Sequence, residues 1–173
     1  MSLSLYDVTV PVYRQYLAAL SGVLGKAAEH CASGSAQEGE LTSCRLVEDM
    51  QPFTFQVALA IFHSAGAVAT LRGQTYPASE GLETFAGCRA AVDAALAYLD
   101  GVRPGDLTID LDADVVLQTP RGKMTFTARN LVFTFSYGNF FFHVTTAYDI
   151  LRHRGVPIGK RDFLGAVQVK AMA

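Results

Sequence analysis

The sequence predicts an all-α fold: a four-helix bundle with a small β-hairpin between helices three and four. Three observations carry that prediction. Several segments repeat their apolar residues at helical spacing, one stretch alternates with a two-residue period, and glycine or proline stands where the segments stop. The chain of 173 residues suits one domain spanning 1–173 with a real core, and two domains would be cramped.

In the first segment Tyr13, Tyr16, Leu17, Leu20, Val23, Leu24 and Ala27 follow the i, i+3, i+4, i+7 pattern. This spacing predicts an amphipathic helix to about Cys31, with Pro11 in its first turn or kinking it. "ASGSAQEGE" then reads as a polar loop. Asp49 reads as the N-cap of a second helix that carries Pro52 in its first turn and stops at Gly73. A third helix runs from about Leu82 or Thr84 to Asp100, with Phe85, Cys88, Val92, Leu96 and Leu99 on one face. Gly101 and Pro104 end it.

The period then changes. Leu107, Ile109, Leu111, Ala113 and Val115 alternate with polar residues, which predicts a strand. "TPRGK" reads as a turn, Met124 to Ala128 as the returning strand, and "NLVFTF" as an irregular continuation. The fourth helix is expected from near Gly138 to Gly155, a glycine placed for a helix stop with Pro157 beyond it. The tail "IGKRDFLG" is expected to pack back over the helices.

Composition excludes several functions. Half the residues are hydrophobic, 17% are charged and the formal net charge is −2. A phosphate-binding surface needs cations, so a nucleic-acid partner is not expected. So low a charge favours an apolar surface and a homo-oligomer. Cys31, Cys44 and Cys88 form no C-x-x-C pair and are odd in number, which fits reduced thiols in a cytoplasm. The N-terminus lacks the pattern of a signal peptide. The uncharged run from Gln51 to Leu71 contains Pro52, Gln56, His63, Ser64 and Thr70, so it reads as a buried helix and not a membrane span.

Two motifs nearly match and fail. "DLDAD", Asp110 to Asp114, opens like a calcium loop, but Val115 and Arg121 stand where that loop needs glycine and glutamate. In "GVPIGKR", Gly155 and Gly159 enclose three residues where a phosphate loop encloses four, and Arg161 replaces its Ser or Thr.

The histidines carry more information. His30 and His153 fall at helix ends, where exposed histidines are common. On the second helix Gln56, Ala60, His63, Ala67 and Thr70 form a stripe of small and polar residues at heptad-like spacing. On the fourth, His143 shares a face with Phe140, Ala147 and Ile150. Two stripes facing one axis bring the imidazoles together as a polar site inside an apolar core. A metal wants about three protein ligands. Helical rotation offers the third at Thr146, Ala147 or Ile150, none of which is a ligand of the usual kind.

"SLYDVTVPVYRQYLAAL", "LVEDMQPFTFQV" and "NFFFHVTTAYDILRHRGVPIGKRDFLG" resemble a bacterial family of unknown function within the DinB/YfiT-like superfamily of metalloenzyme-like proteins. The resemblance spans nearly the whole chain and is most specific at its C-terminal end. It implies a crossed four-helix bundle, commonly a dimer, in a bacterial cytoplasm. It further implies a metal, often nickel or zinc, held by one histidine of helix two and an H-x-x-x-H pair of helix four. Some members are thiol-dependent transferases or isomerases. His63 is similar to the helix-two ligand and His143 to the first of the pair, while the second falls at Ala147.

Three readings follow. One is a non-catalytic bundle with a degenerate metal site and a small-molecule pocket formed by Gln56, His63, His143 and Tyr148. Another is a metal-dependent thiol transferase or hydrolase-like enzyme using His63 and His143. The third is a structural role, in which His143 is hydrogen-bonded to Gln56, His63 or Tyr148.

Overall fold

The computed structural model describes residues 3–170, which are mostly helical with one two-stranded antiparallel sheet. Helix α1, Leu5–Ala32, starts on a reciprocal cap: Asp7 donates its amide to Ser4 Oγ, and Ser4 donates its amide to Asp7 Oδ2. That cap fixes the start two turns before Pro11, so of its two expected placements the first turn is excluded and Pro11 lies inside α1. Val10, Tyr13, Leu17, Leu20, Leu24 and Ala27 form its buried stripe.

The expected polar loop contains a short helix, α2, Glu38–Thr42. Helix α3, Phe53–Leu71, is interrupted by one π-helical turn at Phe62–Gly66. It begins after Pro52, which itself occupies the N-cap position. Asp49 is thus not the cap: it sits exposed in the preceding turn, and the proline restricts where the helix can start. Helix α3 is long and apolar enough to cross a membrane, but most of it is buried inside this protein.

Helix α4, Phe85–Asp100, is capped twice. Gly87 donates its amide to Thr84 Oγ1, and Phe85 donates its amide to Glu38 Oε1 at 2.7 Å. The second bond ties α2 to the start of α4 and places a carboxylate where the helix dipole favours one.

The hairpin pairs β1, Asp114–Thr119, with β2, Gly122–Thr127, so that Val115 faces Phe126 and Leu117 faces Met124. The strand therefore starts seven residues later than the alternation from Leu107 predicts. Asp110 accounts for the difference: its carboxylate accepts the amide of Asp112 and its carbonyl accepts that of Ala113, folding the segment into a turn.

The last long helix, α5, also departs from expectation. It starts at Ala128, capped by Thr127, passes through a π-turn at Leu131–Ser136 and continues as Tyr137–His153. "NLVFTF" is therefore helical, its β-favouring side chains overridden by packing onto the core. Gly155, at φ +87°, ends the helix as expected. Helix α6, Lys160–Leu164, returns onto α1, where Gln15 Nε2 donates to the Leu164 carbonyl and Phe163 packs on Tyr16. Laterally, α1 packs on α4 and α3 on α5. The second pairing positions the histidines.

Candidate functional site around His63 and His143

The stripe on α3 faces inward throughout: Gln56, Ala60, His63, Ala67 and Thr70 are all buried. On α5, Phe140, His143, Ala147 and Ile150 are buried as well. The two elements meet with the imidazoles of His63 and His143 nearly parallel, 12° between planes, and ring centroids 5.7 Å apart.

Gln56 completes the arrangement. Its Oε1 lies 2.8 Å from His143 Nδ1, and its Nε2 donates to the Gln51 carbonyl at 2.9 Å. Because the amide nitrogen is already committed as a donor, Oε1 is the acceptor and His143 carries its proton on Nδ1. The Nε2 lone pair of His143 is left open. His63 has the opposite status, since its Nδ1 is buried with no hydrogen-bond partner.

Aromatic side chains enclose the pair. Phe62 and Phe135 meet His63 at 5.0 and 5.2 Å, and Phe142 and Phe55 meet His143 at 5.3 and 6.2 Å, between centroids. In these surroundings a charge is poorly solvated. Burial therefore pushes His63 down to about 3, with the neighbouring His143 adding to the effect, and pushes His143 down to about 4. Both rings are neutral near pH 7.

Tyr148 does not join them. It is half-buried on another face of α5, against Phe163, beside a small cleft lined by Tyr16, Ala19 and Val144. Five helical residues from His143 amount to roughly 140° of net rotation, which turns it away. His153 is exposed and His30 half-buried, both at helix ends.

For a metal, the donors are two neutral imidazoles from two helices. Ala147, at the third position, is fully buried and offers only a methyl group. Among the described residues no three of His, Cys, Asp or Glu come together as a metal-holding group. A tetrahedral ion held here would thus lack at least one of the three protein ligands usual for zinc. The thiol of Cys88 donates to the Leu82 carbonyl, and burial pushes it up to about 12, so it stays protonated.

The fold that carries this site is DinB-like, by its likeness to a solved structure. A solved structure described as a DinB family member from Shewanella denitrificans is 31% identical, with a TM-score of 0.84 over 97% of this chain and 96% of that one. The family model for a domain of unknown function, DUF1993, matches residues 5–164. The chain belongs to that family. No curated protein matches it.

Proposed function

We propose that this DinB-like protein is a single-domain four-helix bundle that binds a small molecule at a degenerate metal site, without catalysing a reaction there. The long helices α1, α3, α4 and α5 form the bundle, and Gln56, His63 and His143 form the interior site. One observation carries the reading. His63 and His143 are buried, neutral and side by side, yet of their Nδ1 atoms only that of His143 has a partner, Gln56, while that of His63 is buried with none. Unused hydrogen-bonding capacity in an apolar interior is costly, and a bound molecule is a way to meet it. Ala147 supports the loss of metal, since it adds no donor at the third position.

A second reading keeps a metal and makes the protein a thiol transferase or hydrolase-like enzyme using His63 and His143. It is favoured by the neutrality of both rings, because an unprotonated imidazole is the ligating form. Elemental analysis of protein purified without a histidine tag decides between them. The first reading expects nickel, zinc and iron well below one per chain. One metal per chain, lost in both His63→Ala and His143→Ala, establishes the second instead.

The same reading makes the protein a homodimer in the bacterial cytoplasm. Support for the dimer comes from the low charge and from exposed aromatic side chains, such as Phe133 and Phe142 on α5. Sedimentation of the purified chain tests the dimer.

A further inference from the structure

Among the described residues, three side-chain polar atoms are buried without a partner: Tyr13 Oη, His63 Nδ1 and Ser136 Oγ. Their positions are related. His63 lies in the π-turn of α3, and Ser136 is the last residue of the π-turn of α5. Tyr13, on α1, packs its ring on Tyr137, the residue after Ser136, at 5.8 Å between centroids. The two π-turns touch where Phe135 meets the His63 ring at 5.2 Å, and α1 packs on the first of them. Three helices thus each carry one unsatisfied polar atom on a residue in, or packed beside, the same pair of irregular turns.

Other hydroxyls on these helices do not share this condition. Ser64 donates to the Ala60 carbonyl at 2.7 Å, and Thr70 to the Gly66 carbonyl at 2.9 Å. Leaving a buried donor or acceptor unpaired costs its desolvation, so each of these three atoms asks for a partner. A π-turn adds a residue to the helical turn and redirects side chains, and it recurs at functional sites.

We propose that Tyr13 and Ser136 are further ligand-binding residues, which with His63 hydrogen-bond one small, uncharged molecule held at the paired π-turns. This rests on the reading of the histidine site as a small-molecule site. The charge of the ligand follows from the surroundings. No Asp, Glu, Lys or Arg is among the buried residues, so an ion would enter uncompensated. Tyr13 is a buried phenol held protonated by its burial, and Ser136 is a hydroxyl; both donate and accept. The body of the ligand follows from the aromatic walls, since Phe62 and Phe135 flank His63. Phe55 and Phe142 beside His143 are 39% and 54% exposed, so the aromatic lining reaches the surface. An apolar or aromatic body bearing a hydroxyl-type group fits that chemistry.

Phenol is the probe, with toluene as the same ring lacking the hydroxyl and benzoate as a charged counterpart. Phenol is expected to bind one per chain, raise the melting temperature and shift the Tyr13 and His63 ring signals in NMR spectra. Toluene and benzoate should bind about tenfold more weakly or not at all. Tyr13→Phe and Ser136→Ala should each weaken phenol several-fold to about tenfold. Without phenol, both variants should melt no lower than the parent, because each removes an unpaired polar atom. The proposal is overturned if phenol fails to bind at millimolar concentration, or binds both variants as it binds the parent. It is equally overturned if the free variants melt lower, which would reveal a structural hydrogen bond. Phenol binding lost in His143→Gln but kept in Tyr13→Phe and Ser136→Ala would leave the histidine site standing and remove this extension alone. One metal per chain would instead defeat the underlying reading.

Discussion

His63 and His143 lie with their rings 5.7 Å apart and 12° from parallel, although one belongs to α3 and the other to α5. Two imidazoles this close cannot both be charged cheaply in an aromatic enclosure. Each disfavours protonation of the other, and burial disfavours it for both. The pair is therefore a neutral hydrogen-bonding element at physiological pH, and that property governs how the fold responds to acid.

Stability should fall as pH drops from about 6.5 towards 4. The folded histidines titrate well below the unfolded value, at about 3 for His63 and about 4 for His143. Between those values the unfolded chain binds protons that the folded chain refuses, so acid favours unfolding by about 1.4 kcal/mol per pH unit for each ring. Asp7 and Asp162 act in a different window, because their hydrogen-bonded carboxylates titrate below the ordinary carboxylate value. Urea unfolding at several pH values between 7.5 and 4.5 measures the slope. The double variant His63→Gln/His143→Gln should flatten it, and an unchanged slope would mean that the rings are not held neutral.

Gln56 should be coupled to His143 and not to His63. Removing the amide strips the Nδ1–H of His143 of its acceptor and the Gln51 carbonyl of its donor. Gln56→Ala should therefore cost about 1–3 kcal/mol. A double-mutant cycle with His143→Ala should give a coupling of about 1 kcal/mol, and the cycle with His63→Ala a much smaller one. Nitrogen-15 NMR of the imidazoles should find His143 as the Nδ1–H tautomer in the parent protein; an Nε2–H tautomer would contradict the arrangement.

Much of this site is readable from residue spacing. The stripe Gln56, Ala60, His63, Ala67, Thr70 predicts an inward face, and a histidine in register with Phe140 and Ile150 predicts the partner. The cap at Thr84 and the turn before Gly122 are equally local signals. What the sequence hides is non-local or aperiodic. A π-turn of five or six residues leaves no periodic trace, so the start of α5 reads as an irregular strand. Glu38 caps α4 across a long sequence separation. Tyr13 in a helical stripe looks like an ordinary core aromatic, and only its unpaired hydroxyl sets it apart. Tyr148 shows the converse: a polar aromatic near His143 in sequence is carried to another face by helical rotation.

The start of α4 should be intolerant of a single methyl group. A Cβ on Gly87 would lie 1.8 Å from the Gly81 carbonyl oxygen and 3.3 Å from Thr84 Oγ1. The first of these atoms is backbone and cannot rotate aside. Gly81 itself is held at φ +69°, so the loop has little freedom to yield. Gly87→Ala should destabilise by at least about 2 kcal/mol. Gly22→Ala is the matched control, because nothing lies within 4 Å of a Cβ there and the residue is inside α1. That change should stabilise by about 0.5–1 kcal/mol through helix propensity. Thermal melts of the two variants should move in opposite directions.

Adding a third imidazole tests whether the histidine pair has the geometry of a metal site with a ligand missing. Ala147 is four residues from His143 on the same face of α5, and it is fully buried. Ala147→His adds a ring to a closed core, so the free variant should lose about 1–3 kcal/mol relative to the parent. If His63 and His143 are positioned as two ligands, the new side chain completes a three-histidine set and binds zinc or nickel. Metal should then raise the melting temperature of the variant by mass action while leaving the parent unchanged. Adding His63→Ala to Ala147→His should abolish the gain. A variant that is destabilised but gains no metal binding would show that the two imidazoles are arranged for hydrogen bonding alone.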